Sequence, residues 1–142
     1  LVRAGQQGVK VDLIVRGACM LPAQVPGVTD NIRVRSIIGR FLEHSRVFYF
    51  SSGQEEDLYL ASADWMNRNM LRRIELAWPV TDPGLRQRII DECLVAGLRD
   101  GRDAWDLGPD GAYRQVDTTQ PGHGSQAALM ARYAARERGQ DA

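Results

Sequence analysis

The sequence GVKVDLIVRG, residues 8 to 17, decides the class of fold. Between its two glycines runs a short apolar and β-branched segment, Val9 to Val15, which predicts a strand buried on both faces within a sheet. Arg16 follows this strand directly. In open α/β sheets, ligands bind at the carboxyl ends of the strands. Arg16 is therefore a candidate ligand-binding residue.

On either side of this strand, helix and strand signals alternate. Gly8 can end a helix over residues 1–7, and the proline-containing residues 17–31 predict a long loop. Asp82 and Pro83 are typical of the start of a helix, which we expect to continue to Leu98. Further strands are predicted over residues 32–38, 46–50, 57–63 and 72–80, with a small hairpin over residues 105–116. We predict an α/β fold with a mixed sheet of about five strands flanked by helices.

Length and composition bound the class of protein. The 142 residues, 44% of them hydrophobic and 25% charged, are typical of one globular domain without a transmembrane segment. A net charge of zero argues against a nucleic-acid partner. The isolated Cys19 and Cys93 fit a reducing cytoplasm. Because the chain starts at Leu1 with neither an initiator methionine nor a signal peptide, we expect a piece of a longer protein.

The pattern changes near the C-terminal end of the chain. Residues 1–117 are predicted to form one domain, and residues 118–142 a linker and a tail helix. The linker, Thr118 to Gly124, combines polar residues with proline and glycine. Ser125 opens the alanine-rich, weakly amphipathic tail helix.

The basic residues are almost all arginines. Lys10 is the one lysine and the other 17 of the 18 basic residues are arginines. Arginine can fork two hydrogen bonds onto a phosphate or a carboxylate, although a codon bias explains the composition equally well. Arg33 and Arg35 alternate with apolar residues in the second predicted strand, so they project from one side of it.

His44 is the residue best suited to acid–base or phosphoryl chemistry. It lies between Glu43 and Arg46, with Arg40 close by in the sequence. Imidazole can accept, donate or carry a phosphoryl group near neutral pH, and arginine stabilises the oxygens of a phosphate in transfer. A surface ion pair at the start of a strand explains the same residues.

The segment Leu60 to Asn69 concentrates small residues, amides, one carboxylate and one arginine after a strand. Such groups can surround an anion. A polar turn over residues 64–69, held by Asp and Asn side chains that bond to their own backbone, is the alternative interpretation.

Three ordered blocks of sequence resemble the final domain of the polyphosphate kinase family. The similarity is continuous from Leu1 to about Trp105 and weaker in the tail. The blocks are VDLIVRG at residues 11–17, PGVTDNIRVRSIIGRFLEHSR at residues 26–46, and SADWMNRN at residues 62–69, followed by Arg73 and Glu75.

This resemblance implies an enzyme that reversibly transfers the terminal phosphate of ATP to polyphosphate. It implies magnesium, a phosphohistidine intermediate and a pair of phospholipase D-like half-domains, of which residues 1–117 would be the C-terminal one. The phosphohistidine and most magnesium ligands would belong to the preceding half, and no metal ligand is assigned in this chain. We also expect a homo-oligomer in the cytoplasm.

The resemblance also assigns roles to particular residues. Arg16 and His44 match positions that contact the nucleotide phosphates, and His44 would act in catalysis as proton donor or phosphate ligand. The resemblance also makes four arginines candidates for a polyphosphate channel, namely Arg33, Arg35, Arg40 and Arg46.

Two other functions fit parts of the sequence. A phosphodiesterase or nuclease of the phospholipase D superfamily would have Lys, Asp and Asn where this chain has Arg46, Ser51 and Asp64. These departures argue against that activity. A non-catalytic module for polyanion binding or oligomerisation is compatible with the sequence of the isolated chain.

Overall fold

Strands and helices alternate along the chain in the computed structural model, which describes residues 1–116 and 124–139. The helices are α1 (Val2–Gln6), α2 (Asn67–Arg72), α3 (Pro83–Ile89), α4 (Ala96–Leu98) and α5 (Ser125–Glu137), with a π-helical turn over Ile90–Val95. The strands are β1 (Val11–Ile14), β2 (Ile32–Ile37), β3 (Val47–Ser52), β4 (Glu55–Ala61), β5 (Ala77–Pro79), β6 (Ala104–Leu107) and β7 (Tyr113–Gln115). None of the helices within the described ranges has the length and apolar character needed to cross a membrane. The predicted linker lies outside the described residues except for Gly124.

The predicted α/β class is confirmed, but the strands form two sheets instead of one sheet of about five. Strands β1, β2, β6 and β7 form a four-stranded sheet in that order, and β3, β4 and β5 form a three-stranded sheet. The difference arises because β6 pairs with β2. The predicted terminal hairpin thereby completes the first sheet, and β3 to β5 pair only among themselves within the described residues.

The chain divides into two units, each with its own sheet. The first unit comprises Leu1–Glu43 and Ala96–Ala142, and the second comprises His44–Val95. In the first unit the sheet is mixed, because β1 and β2 are parallel while β2–β6 and β6–β7 are antiparallel. The mixed character of the predicted sheet is thus confirmed in this unit.

The core of the first unit lies under β2. Ile32 and Val34 are buried together with Leu107 of β6 and Ala23 of the loop between β1 and β2. This loop follows the predicted course over residues 17–31, and the amide of Gln24 donates to the carbonyl of Leu107. The long loop is therefore packed against the sheet.

Strand β1 is less buried than its sequence predicts. It pairs with β2 alone among the described residues, and its four residues are half-buried or exposed. The prediction of a strand buried on both faces is wrong in this chain, because β1 occupies an edge of the described sheet. Arg16 nevertheless lies just beyond its carboxyl end, as predicted.

Asp100 connects the end of the helical segment to helix α5. Its side chain is almost fully buried and accepts hydrogen bonds from the backbone N–H groups of Ser125, Arg102 and Asp103 at 2.6, 2.9 and 2.7 Å. Burial raises the pKa of the Asp100 carboxyl, but the N–H donors outweigh it, so its pKa lies below the usual value. The first turn of α5 is thus tied to a buried carboxylate.

The second unit is built on an antiparallel sheet. A tight turn joins β3 to β4, and Gly53 adopts the left-handed conformation there with φ +65°. Strand β5 pairs with β4 on its other edge. Leu58 of β4 is fully buried, and the predicted helix after Asp82 is confirmed, with the Asp82 side chain accepting the Leu85 N–H at 2.8 Å.

The segment before β5 differs from its prediction. Residues 67–72 form helix α2 where a polar turn and the start of a strand were predicted, and β5 is only three residues long. Asn69 is the one buried residue of α2, and its amide donates to the Asp64 carbonyl at 3.0 Å. The large apolar side chains around it are exposed, and Ile74 is 98% exposed. The exposed apolar side chains in this region are Met66, Met70, Leu71, Ile74, Leu76 and Trp78.

The buried carboxylate of Asp100 should make stability depend on pH. Its pKa is lowered in the folded state, so its contribution is complete above the ordinary aspartate pKa, near 4, and is lost as the pH falls through the folded value. We expect Asp100→Asn to lower the free energy of unfolding by about 2 kcal/mol at pH 7. The variant should also flatten the loss of stability below about pH 4. Urea unfolding at several pH values measures both effects.

Asp57→Asn is the matched control, because Asp57 is exposed on β4. It should change the unfolding free energy at pH 7 by less than about 0.5 kcal/mol. Equal losses in the two variants would contradict the role of Asp100.

Candidate functional site

Arg16 holds a corner of the first unit. It is half-buried in the bend that follows β1, and its Nη1 donates to the backbone carbonyl of Glu43 at 3.3 Å. The corner forms because the N–H of Val15 still bonds to the Arg35 carbonyl at 2.8 Å, which fixes the chain up to the residue before Arg16. We call this pair the Arg16–Glu43 corner.

Glu43 is held a second time through its side chain. The amide nitrogen of Gln126 donates to a carboxylate oxygen of Glu43 at 2.6 Å. Gln126 was not among the residues predicted from the sequence, because 83 residues separate it from Glu43. Only the burial of a polar residue in the first turn of α5 could have indicated it, and burial is not visible in one sequence.

His44 belongs to a second cluster, in the second unit. Its ring Nε2 lies 3.0 Å from Nη2 of Arg46, and Nε of Arg46 lies 3.0 Å from a carboxylate oxygen of Asp64. A guanidinium can only donate, so this contact is a hydrogen bond when Nε2 of His44 is unprotonated and the ring proton is on Nδ1. The His44–Arg46–Asp64 cluster therefore orients an exposed imidazole.

Strand pairing explains why Asp64 meets Arg46. The N–H of Ala61 bonds to the Arg46 carbonyl at 3.0 Å, which continues the β3–β4 ladder to the residue before β3. Asp64 follows Ala61 by three residues. From the sequence, Asp64 was predicted to lie in a polar turn or among groups that could surround an anion, and its pairing with Arg46 was not predicted.

The arginines of β2 have different environments. The side chain of Arg35 is 18% exposed, and it pairs with Asp106 directly opposite on β6 at 2.7 Å. The hydrogen bond to Asp106 raises the pKa of Arg35 further. Arg35 also donates to the backbone carbonyls of Leu98 and Asp100. Arg33 is exposed on the same strand and makes no ion pair within the described residues.

Arg40 is exposed as well. Its guanidinium lies over the ring of Phe41, 5.6 Å from the centroid. Of the four candidate channel arginines, Arg33 and Arg40 therefore extend into solvent, whereas Arg35 and Arg46 already pair with carboxylates.

The structure gathers the predicted site residues into two groups. Arg16, Arg33, Arg35 and Arg40 belong to the first unit, and His44 and Arg46 to the second. Arginine guanidinium groups and imidazole rings can both form hydrogen bonds with anions such as phosphate. The fold and these side chains define the class of the protein as an α/β domain with one group of arginines in the first unit and an arginine–imidazole pair in the second.

Comparison with known proteins narrows this class. The family described as "Polyphosphate kinase C-terminal domain 2" matches residues 1–127, so the chain belongs to this family. A polyphosphate kinase of Burkholderia cenocepacia is 50% identical over 133 residues, which cover 94% of this chain and 19% of that protein. A polyphosphate kinase of Xylella fastidiosa is 50% identical over 129 residues, 89% of this chain and 18% of that protein.

A solved structure agrees with this assignment. The crystal structure of polyphosphate kinase from Porphyromonas gingivalis is similar with a TM-score of 0.87 and 40% sequence identity. The similarity covers 97% of this chain and 21% of that one. The chain thus spans about a fifth of the length of the relatives that it matches.

The two arginines of β2 should respond differently to substitution. We expect Arg35→Ala to lower the free energy of unfolding by about 2–3 kcal/mol, because it leaves Asp106 and two carbonyls without their donor. Arg33→Ala, the matched control on the same strand, should change it by less than about 0.5 kcal/mol. Urea unfolding measures both variants. A stable Arg35→Ala variant would contradict a structural role for Arg35.

Proposed function

We propose that this chain is the C-terminal catalytic part of a polyphosphate kinase, an enzyme that reversibly transfers the terminal phosphate of ATP to polyphosphate. The match of residues 1–127 to the polyphosphate kinase domain carries this proposal. The Arg16–Glu43 corner and the His44–Arg46–Asp64 cluster support it, because both present groups that suit phosphate. Residues 1–117 would act as the phospholipase D-like half-domain of a composite site.

Each group has a definite task in this proposal. Phosphoryl transfer needs little covalent help from the protein beyond positioning and neutralisation of charge. Arg16, half-buried and fixed at Glu43, would bind the phosphate oxygens of the nucleotide. His44 would donate a proton or a hydrogen bond to the phosphate, with its ring orientation set by Arg46.

Polyphosphate would contact the exposed arginines. Arg33 and Arg40 are the best placed for this, because their guanidinium groups are exposed and pair with no carboxylate among residues 1–116 and 124–139. Arg35 and Arg46 would contribute at most a second layer of positive charge, since each is paired with an aspartate.

The phosphohistidine and the magnesium ion would come from the remaining part of the polypeptide. Among residues 1–116 and 124–139, no three His, Cys, Asp or Glu side chains cluster so as to hold a metal ion. Full-length polypeptides of this type would act in the cytoplasm as homo-oligomers.

Ligand binding by the 142-residue chain tests the role of Arg16. We expect ADP and long-chain polyphosphate to bind, and Arg16→Ala to weaken the binding of ADP by about tenfold through loss of charged hydrogen bonds. His44→Ala should weaken binding as well. Isothermal titration at two salt concentrations separates these contacts from general attraction, which salt screens.

Arg3→Ala is the matched control, because it removes the same charge from the exposed surface of α1. Its effect should be small and should vanish at the higher salt concentration. Equal effects of Arg16→Ala and Arg3→Ala would indicate that the chain binds polyanions non-specifically and would contradict the proposed site.

Turnover should require the rest of the enzyme. We expect the purified chain to form no ATP from ADP and polyphosphate, because the proposed phosphorylated histidine is not among its residues. Replacing the matching 133-residue stretch of the Burkholderia cenocepacia relative with this chain should give an active kinase. A luciferase assay for ATP measures both proteins. Turnover by the isolated chain, or an inactive but folded chimera, would contradict the proposal.

A further inference from the structure

Gln126 makes an unusually complete set of contacts for one side chain in the first turn of a helix. Its Oε1 accepts the backbone N–H of Phe41 at 2.9 Å, and its Nε2 donates to the backbone carbonyl of the same residue at 2.8 Å. The same Nε2 donates to the carboxylate of Glu43 at 2.6 Å. Gln126 is 7% exposed. The amide thus satisfies both backbone groups of Phe41 as a neighbouring strand would.

Residues 39–43 have no other regular support. They belong to no helix or strand, and Phe41 is itself exposed. Gly39 fits this arrangement, because a Cβ atom at residue 39 would overlap with Oε1 of Gln126. A segment without the backbone hydrogen bonds of a strand or a helix opens locally with ease unless side chains hold it.

Two further contacts give this segment a fixed frame. Asp100 anchors the N–H of Ser125, the residue before Gln126, at 2.6 Å. At the other end, Arg16 donates to the Glu43 carbonyl at 3.3 Å. Gln126 therefore lies between a buried anchor and the Arg16–Glu43 corner.

We propose that Gln126 is a positioning residue, which holds residues 39–43 so that the Arg16–Glu43 corner is formed before any phosphate arrives. This gives the first turn of the tail helix a role in the site. The inference rests on the proposed function for the role of Arg16, whereas the fixed conformation of residues 39–43 stands on the contacts alone. A preformed corner binds more tightly, since no ordering cost is added on binding.

Hydrogen exchange of the 142-residue chain measures the conformational part. In Gln126→Ala the amide of Phe41 loses its acceptor, and we expect its exchange rate to rise by about tenfold, as for the loss of one buried hydrogen bond. Amides of β2, such as that of Val34, should keep their exchange rates. This pattern separates local opening of residues 39–43 from general unfolding.

Titration with ADP measures the functional part, because Arg16 is proposed to contact the nucleotide phosphates. We expect Gln126→Ala to weaken binding by about threefold to tenfold although Gln126 is not a ligand. Adding Arg16→Ala should then cost less than it does in the unchanged chain, because the two residues act on one corner. Full additivity of the two substitutions would overturn the positioning role.

A reciprocal exchange of side chains sharpens the test. Gln126→Glu removes both donated hydrogen bonds and sets a second carboxylate against Glu43, so it should open the segment more than Gln126→Ala does. Adding Glu43→Gln restores an amide opposite a carboxylate and should recover part of the protection of Phe41. No recovery in the double variant would contradict the Gln126–Glu43 contact.

Gln87→Ala is the matched control. Its amide also donates to a side-chain carboxylate, that of Asp91 at 3.0 Å, but this pair is exposed and lies in the second unit. It should change neither the exchange of Phe41 nor the binding of ADP. An unchanged Phe41 exchange rate in Gln126→Ala would overturn the inference. If the wild-type chain binds no ADP, the proposed function fails while the exchange measurement alone still decides whether Gln126 holds the segment.

Discussion

The buried carboxylate of Asp100 is the constraint on which the first unit depends. The carboxylate accepts hydrogen bonds from three backbone N–H groups, one of which belongs to the first residue of helix α5. The backbone carbonyl of Asp100 also accepts a hydrogen bond from Arg35 of β2. A buried carboxylate is costly unless it is fully hydrogen-bonded. This requirement fixes the chain around residues 100–103 and the start of α5 at the same time.

The polar network continues from Asp100 to the candidate site. Asp100 anchors helix α5, whose Gln126 side chain donates hydrogen bonds to Phe41 and Glu43. The backbone carbonyl of Glu43 also accepts a hydrogen bond from Arg16. Each member is a charged or amide group with its partners in place, which is the condition under which buried polar groups specify one arrangement. The first unit therefore uses hydrogen bonds, in addition to its small apolar core, to hold the residues near its proposed phosphate contacts.

Local patterns in the sequence identified much of this fold. The Gly8–Gly17 segment predicted β1 and the place of Arg16, and Asp82 with Pro83 predicted the start of α3, because each signal lies within a few residues. The family was also identifiable from its ordered blocks. The division into two sheets could not be predicted from such patterns, since it depends on the pairing of Arg35 with Asp106, 71 residues away. The contact of Gln126 with Phe41, 85 residues apart, was hidden for the same reason.

The exposed apolar side chains around α2 and β5 have a consequence for the life of this chain in a cell. Met70, Leu71, Ile74 and Leu76 lie close together in sequence and face solvent. Chaperones and proteases of the quality-control system select chains by exposed apolar segments of this kind. If this chain were present in a cell as a separate polypeptide, its lifetime would depend on that recognition as well as on its thermodynamic stability.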